Sequence, residues 1–220
     1  MVVGPGEYPE RTSAAEIHLE RAGARLAAIA AGEGIPVVLL HGLTATRRYV
    51  VMGSRSLERS GHQVIGYDAR GHGRSTPAPT PEAYAYEDLE LDLEAVLDRF
   101  GAQRTVLAGV SMGAHTAIRL ALRAPSRVAG LVVITPGYDP SDHDDPSRLS
   151  RWDALADGLE QGGVEGFVRA YGDPGVAPRW REATVKAIRQ RLELHEHPGA
   201  VADALRCVPR SRPFEGLEQL

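Results

Sequence analysis

The sequence predicts an α/β protein with a doubly wound, mainly parallel sheet and a helical insertion beside it. Between residues 36 and 135, short β-branched apolar runs alternate with longer segments whose apolar residues recur at helical spacing. The runs are apolar at consecutive positions, which is typical of strands covered on both faces. Residues 140–209 show helical segments and Gly/Pro breaks but no convincing strand, and this change indicates the insertion.

Each element of the first half is predicted by a local pattern. Leu89, Leu93 and Val96, for example, share one helical face, with acidic residues on the other. Two short strands are expected within residues 16–31, and further strands at 36–40, 63–67, 105–108 and 131–134. Helices are expected at residues 47–60, 89–100 and 114–122.

The same patterns divide the chain into three parts. We expect residues 1–137 to form an α/β core and residues 138–212 to form a helical cap over it. Residues 213–220 are expected to begin a helix that returns to the core. No apolar β-run follows Pro213, so the last strands of such a core are expected to be missing from this chain.

Composition narrows the function classes. The 220 residues carry a net charge of −4 and show no long run of one sign. Nucleic acids and anionic membranes attract basic surfaces, so we expect neither as a partner. Cys207 is the single cysteine, and the first residues lack the apolar stretch of a signal peptide. These features favour a cytoplasmic protein.

Neither a cofactor nor a metal is expected. No G-x-G-x-x-G pattern, which would indicate a dinucleotide site, follows the first apolar strand. The acids that surround His143 in residues 139–145 could be interpreted as metal ligands. Consecutive acids in a Pro-rich loop are more typical of a solvated surface, and we favour that interpretation.

The most specific chemical signal is Gly-Val-Ser-Met-Gly at residues 109–113. It lies where an apolar strand ends and an Ala-rich amphipathic helix begins. A serine at such a junction takes a strained backbone conformation, and small neighbours let the strand and helix approach closely. We therefore predict that Ser111 is a nucleophile presented at the carboxyl edge of the sheet.

The order of three motifs resembles the α/β-hydrolase superfamily, and within it the capped esterase, haloperoxidase-like and C–C hydrolase branch. The motifs are Val-Leu-Leu-His-Gly at residues 38–42, Gly-Tyr-Asp-Ala-Arg-Gly-His-Gly-Arg-Ser at 66–75, and the serine motif at 109–113. The resemblance is close over residues 16–137 and loose over the predicted cap. It implies an oxyanion hole formed by the backbone amides of Met112 and Leu43.

The resemblance also suggests the reaction. Relatives that open epoxides or displace halide carry aspartate at the nucleophile position, so Ser111 points to acyl transfer. We expect hydrolysis of a small carboxylic ester, thioester or lactone. Peracid-type or C–C bond chemistry on the same frame remains an alternative, as does a non-catalytic protein that binds a small ligand. Trp152, Phe167 and Tyr171 are candidates for lining the substrate pocket.

The partners of the serine are harder to find. In this family the acid and then the histidine follow the nucleophile along the chain, usually beyond the cap. No histidine is identified at the place in the chain where the family usually has it. Asp139 is an alternative candidate for the acid. His195 and His197 are interpreted as solvated residues at a helix end.

Other polar residues in the motifs have structural interpretations. His41 and His72 are expected to hold turns by hydrogen bonds. Asp68 and Arg70 are expected to pair with each other, and His115 to form packing or pocket wall.

Overall fold

The computed structural model describes residues 16–219, so the predicted core segment 1–15 lies outside the described residues. Six strands form one sheet in the order β1-β2-β4-β3-β5-β6. They span Ile17–Arg21 (β1), Ala24–Ala31 (β2), Ile35–Leu40 (β3), His62–Tyr67 (β4), Thr105–Val110 (β5) and Val128–Ile134 (β6). Strands β3 to β6 run parallel, whereas β1 and β2 are antiparallel to their neighbours. The predicted mainly parallel α/β sheet is confirmed.

Helices flank the sheet on both faces, and alternate residues of a strand contact the helices on opposite faces. They span Ser56–Arg59 (α1), Tyr86–Arg99 (α2), Met112–Arg123 (α3), Pro146–Tyr171 (α4), Pro178–Leu192 (α5) and Pro198–Cys207 (α6). Val38 and Leu40 of β3 pack with α2 and α3, whereas Val37 and Leu39 face the side that carries α1. Successive side chains of a strand point to opposite faces, so both faces of β3 are buried.

The predicted helix at residues 47–60 is wrong. A single 3₁₀ turn covers Arg47–Tyr49, and α1 adds only one further turn. Met52 and Gly53 lie between them with φ of 49° and 77°. A right-handed helix cannot pass through two such residues, so the segment breaks. Residues 213–220 likewise contain only a 3₁₀ turn at Leu217–Gln219, within the part that the structure describes.

Residues 146–207, the helical region, carry α4, α5 and α6. Helix α4 bends at Gly162 and Gly163, whose backbone is not helical. A Cβ on Gly166 would lie 1.9 Å from the carbonyl oxygen of Gly158, so only glycines permit the two halves to pack this closely. The apolar faces of the helical region form one cluster with Leu43 and Met112. The helical region therefore packs directly against the segments predicted to bear the oxyanion hole.

Strand β6 differs from the other parallel strands because, among the described residues, it pairs only with β5. Val132, Val133 and Ile134 are 49%, 42% and 42% exposed. Because consecutive strand residues point to opposite faces, this exposure affects both faces of β6. Separately, none of the helices within residues 16–219 is long and apolar enough to cross a membrane.

Candidate active site

Ser111 occupies the sharp turn between β5 and α3. Its φ of 50° and ψ of −114° lie outside the regions that L-residues favour. A Cβ on Gly109 would lie 2.3 Å from the carbonyl oxygen of Gly113, and one on Gly113 would lie 2.4 Å from that of Leu40. The two glycines thus allow the strand, the turn and the helix to pack together. The serine is held at the carboxyl end of β5 by the backbone around it.

The Ser111 side chain is exposed and borders a cavity of about 360 Å³. Leu43 and Met112 border the same cavity. Within residues 16–219, neither of their amides donates a hydrogen bond to another protein group, and the Ser111 hydroxyl has no hydrogen-bond partner. Gly42 lies beside the serine, because a Cβ built on it would be 3.6 Å from Ser111 Cβ. Three residues that border one cavity therefore carry an amide or a hydroxyl without a hydrogen-bond partner among the described residues.

The loop that follows β3 is held by the turn that follows β4. His41 Nε2 accepts a hydrogen bond from the Ala69 amide at 2.9 Å. His72 Nε2 lies 2.7 Å from the Leu43 carbonyl oxygen and its Nδ1 lies 2.8 Å from the Arg70 carbonyl oxygen, and the neutral ring donates to one of the two. Both rings are buried, and burial lowers the pKa of each below its usual value. These bonds confirm that His41 and His72 hold turns.

Asp68 and Arg70 do not pair with each other, so that prediction is wrong. Asp68 binds the side chain of Arg47 and accepts a hydrogen bond from the Arg47 amide at 2.8 Å. Arg70 makes a bidentate pair with Asp92, with both N–O distances 2.7 Å. Burial raises the pKa of both carboxyls, and the paired arginines oppose that rise. Each motif residue thus binds an element distant in sequence.

His195 is buried rather than solvated, which corrects the interpretation as an exposed helix-end residue. Only 7% of it is exposed, and its Nδ1 accepts a hydrogen bond from the Gly73 amide at 2.9 Å. Burial, with a smaller contribution from His72, lowers its pKa to about 3. Its neighbour His197 is half-buried. Sequence spacing could not predict the contact of His195 with Gly73, because Gly73 lies 122 residues earlier.

The predicted pocket aromatics separate into two groups. Trp152 borders the cavity with Ser111. Phe167 and Tyr171 instead stack on each other, with ring centroids 5.9 Å apart, inside the apolar cluster of the helical region. Their helix faces pack against other helices, so they do not border this cavity. His115 does border it, buried and 2.8 Å from the Tyr86 hydroxyl through Nδ1.

Asp139 borders the cavity but is exposed and orients no histidine. Its carboxylate accepts hydrogen bonds from the Ser141 hydroxyl at 2.7 Å and the Ser141 amide at 2.8 Å, and these bonds lower its pKa. His143, expected in a solvated loop, is buried, and its Nε2 lies 3.2 Å from the Arg210 carbonyl. The described part of the chain contains no group of three acidic, histidine or cysteine side chains able to hold a metal.

Comparisons with known proteins agree with this architecture. The family model described as alpha/beta hydrolase fold matches residues 35–215. The sn-1-specific diacylglycerol lipase of Mus musculus is 38% identical over 111 residues, which are 49% of this chain and 35% of the lipase. Epoxide hydrolase B of Mycobacterium tuberculosis is 35% identical over 103 residues, which are 47% of this chain and 29% of that enzyme. The chain therefore spans about a third of the length of these curated relatives.

Solved structures match over more of the chain. A thermophilic esterase from Thermogutta terrifontis is 27% identical with a TM-score of 0.69, and the match covers 90% of this chain and 73% of the esterase chain. A hydrolase from Pseudomonas aeruginosa has a TM-score of 0.68 at 24% identity, with 92% of this chain and 74% of that chain covered. The second likeness shows the fold alone.

Proposed function

Because the chain belongs to the alpha/beta hydrolase fold family, we propose that it acts as a serine hydrolase on small carboxylic esters, thioesters or lactones. The observation that carries the proposal is the strained, exposed Ser111 beside the free amides of Leu43 and Met112. An idle serine would not need a backbone conformation that costs of order 1–3 kcal/mol. Preorganised amides beside a hydroxyl suit a reaction that creates an oxyanion.

The proposed cycle has two acyl-transfer steps. Ser111 Oγ attacks the substrate carbonyl carbon while its proton passes to a base, and the carbonyl oxygen becomes an oxyanion that receives hydrogen bonds from the two amides. Collapse breaks the bond to the leaving group, which departs with a proton from the base, and leaves an ester on Ser111. Water then gives a proton to the base and attacks the acyl carbon, the bond from that carbon to Ser111 Oγ breaks, Oγ takes the proton back from the base, and the acid product is released. Losing one oxyanion donor typically raises the barrier by about 3 kcal/mol.

The general base of this cycle has to come from outside the contacts described above. Within residues 16–219, no histidine hydrogen-bonds the Ser111 hydroxyl. Strand β6, next to the β5 strand that leads to Ser111, has an open edge and exposed apolar residues. We infer that polypeptide pairing with β6 supplies the base at the cavity.

The cavity suits a compact substrate with an apolar acyl group. Leu43, Met112, Trp152 and Val208 supply apolar wall, and Asp139 borders the same space. A volume of about 360 Å³ lies at the lower end of the range for small-molecule pockets. We therefore propose short acyl chains as substrates.

The direct test compares turnover of p-nitrophenyl acetate and butyrate by the native chain and Ser111→Ala. We expect a loss of at least about a thousandfold in kcat/KM, since the nucleophile itself is removed. Ser126→Ala is the matched control, because Ser126 is exposed at the other end of α3. Measurable turnover that is equal in the native protein and in Ser111→Ala would rule out the nucleophile.

A second candidate function is non-catalytic binding of a small ligand. It is favoured by one observation: the Ser111 hydroxyl has no basic partner within residues 16–219. A fluorophosphonate probe separates the candidates, because covalent modification requires an activated hydroxyl. An adduct on Ser111, located by peptide mass spectrometry, supports the hydrolase, whereas an unmodified protein that still binds ligand supports the second candidate.

A further inference from the structure

We propose that His195, which lies between α5 and α6, is a positioning residue for the oxyanion loop, residues 41–45. The inference rests on the proposed function insofar as it assigns the Leu43 amide to the oxyanion. It adds that a residue of the helical region sets the orientation of that amide. The sequence offers no motif around His195 that would indicate such a role.

The contacts of His195 join three separate segments of the chain. Its Nδ1 accepts from the Gly73 amide at 2.9 Å, and its Nε2 lies 3.4 Å from the Thr44 carbonyl oxygen. The next residue, Glu196, donates its amide to the Gly73 carbonyl oxygen at 2.9 Å. Segment 195–196 therefore hydrogen-bonds both the amide and the carbonyl oxygen of Gly73, and the His195 ring contacts the oxyanion loop.

One protonation state satisfies both ring contacts. The Gly73 amide can only donate, so Nδ1 must carry a lone pair, and the hydrogen of the neutral ring lies on Nε2. That hydrogen points toward the Thr44 carbonyl, which is an acceptor. The burial that lowers the pKa of His195 favours the same neutral ring. His195 thus acts as a fixed donor to the loop at neutral pH.

The Thr44 carbonyl matters because of its place in a tight turn. The Ala45 amide donates to the Gly42 carbonyl oxygen at 2.9 Å, which closes the turn around Leu43 and Thr44. His72 Nε2 lies 2.7 Å from the carbonyl oxygen of Leu43, and His195 Nε2 lies 3.4 Å from that of Thr44. The two rings contact each other edge to face, with centroids 5.5 Å apart. Two successive carbonyls after the Leu43 amide are therefore each contacted by a buried imidazole.

Removing one of these contacts should misorient the Leu43 amide without unfolding the sheet. Misplacing a catalytic donor by about 1 Å can cost up to about a hundredfold in rate. The oxyanion forms only after the serine attacks. We therefore expect a misoriented amide to lower kcat, while KM for the neutral ester changes little. A residue that merely stabilised the fold would give no such split.

Two substitutions separate the ring contacts. His195→Asn keeps an acceptor at the Nδ1 position for Gly73 but cannot reach Thr44, whereas His195→Gln places an amide nitrogen near the Nε2 position. We expect about tenfold lower kcat in His195→Asn, with KM within about twofold, and near-native kcat in His195→Gln. His197→Asn is the matched control, since that residue is the N-cap of α6 but its half-buried side chain makes no capping hydrogen bond.

A second readout does not depend on activity. Hydrogen exchange of the Ala45 amide should be about tenfold faster in His195→Asn and native-like in His195→Gln, because only the latter retains a donor to Thr44. Amides of β5 serve as the internal reference. This measurement decides the inference even if the native protein shows no turnover that depends on Ser111, an outcome that would sink the proposed function alone.

The contradicting outcomes are distinct. If turnover requires Ser111 but the Asn and Gln variants share one kcat, the inference fails while the hydrolase proposal stands. Identical Ala45 exchange in both variants and the native protein also overturns the inference, with or without activity. Faster exchange in both variants alike would assign His195 to general packing, which is equally a refutation.

Discussion

The two sides of Ser111 differ in how completely the chain surrounds them. On the β3–β4 side, the buried rings of His41 and His72 contact the turn after β4 and the oxyanion loop, and the buried Asp68 binds Arg47 just beyond that loop. On the β6 side, Val133 and Ile134 are exposed and the strand edge has no partner among residues 16–219. The first side has the preorganisation that catalysis requires. The second side exposes apolar side chains and an unpaired strand edge among residues 16–219, and such features are typical of interaction surfaces.

This contrast concerns the described residues alone. The proposed nucleophile and the proposed oxyanion donors lie on the closed side. On the other side, β6 has an edge without a partner strand within residues 16–219. Substitutions on the two sides should therefore differ in their cost to stability.

The largest effect on the free energy of unfolding is expected from a substitution at the contact between β3 and α3. In Gly113→Ala the new methyl would lie 2.4 Å from the Leu40 carbonyl oxygen, so backbone must move. We expect a loss of about 3 kcal/mol in the free energy of unfolding, measured by urea denaturation. Gly199→Ala in α6 is the control, because its methyl meets nothing within 4 Å, and it should leave stability unchanged or slightly raised. Equal stability of the two variants would contradict the tight junction.

An intermediate effect is expected from pH, because the closed side buries neutral histidines. The pKa of His195 is lowered to about 3 in the folded protein, so below its unfolded value near 6.5 the unfolded chain binds the extra proton. This contribution to stability is complete above about pH 6.5 and is lost progressively as pH falls toward 3. Between about pH 7.5 and 5.5 the loss from this residue is about 1.4 kcal/mol.

Parallel denaturation of the native protein and His195→Gln tests that value. The variant should lose about 1.4 kcal/mol less than the native protein over the same pH interval, since the titrating ring is gone. Titrating groups far from His195 contribute equally to both proteins and cancel in the difference, whereas His41 and His72 interact electrostatically with its ring and contribute to the difference as well. His18→Gln, on the exposed surface of β1, is the comparison variant. The same pH dependence in native protein and His195→Gln would show that His195 is not buried as a neutral ring.

The smallest effect is expected on the open side. Val133→Thr at the β6 edge should change the free energy of unfolding by less than about 0.5 kcal/mol, because the side chain is already 42% exposed. Val38→Thr in β3, where the side chain is fully buried, should cost about 1–3 kcal/mol for the unpaired hydroxyl. Comparable destabilisation at both positions would mean that β6 is covered in solution.

Local patterns sufficed for much of the fold. The alternation of strands and helices and the strand-to-helix junction at Ser111 follow from neighbouring residues, and the structure agrees with both. The helix expected at residues 47–60 failed because left-handed backbone at Met52 interrupts it. The methionine carries no turn signal, and the local sign of the break is Gly53, which is also left-handed.

The sequence pattern could not predict which partner each charged or polar side chain binds. Asp68 and Arg70 stand two residues apart, yet they bind Arg47 and Asp92 because those elements pack there. His195 resembles a solvated helix end until the helical region seats it against Gly73. Backbone preferences act over a few residues and can be read along the chain. Burial and pairing depend on which distant surfaces meet, and that is settled when the sheet and the helical region pack together.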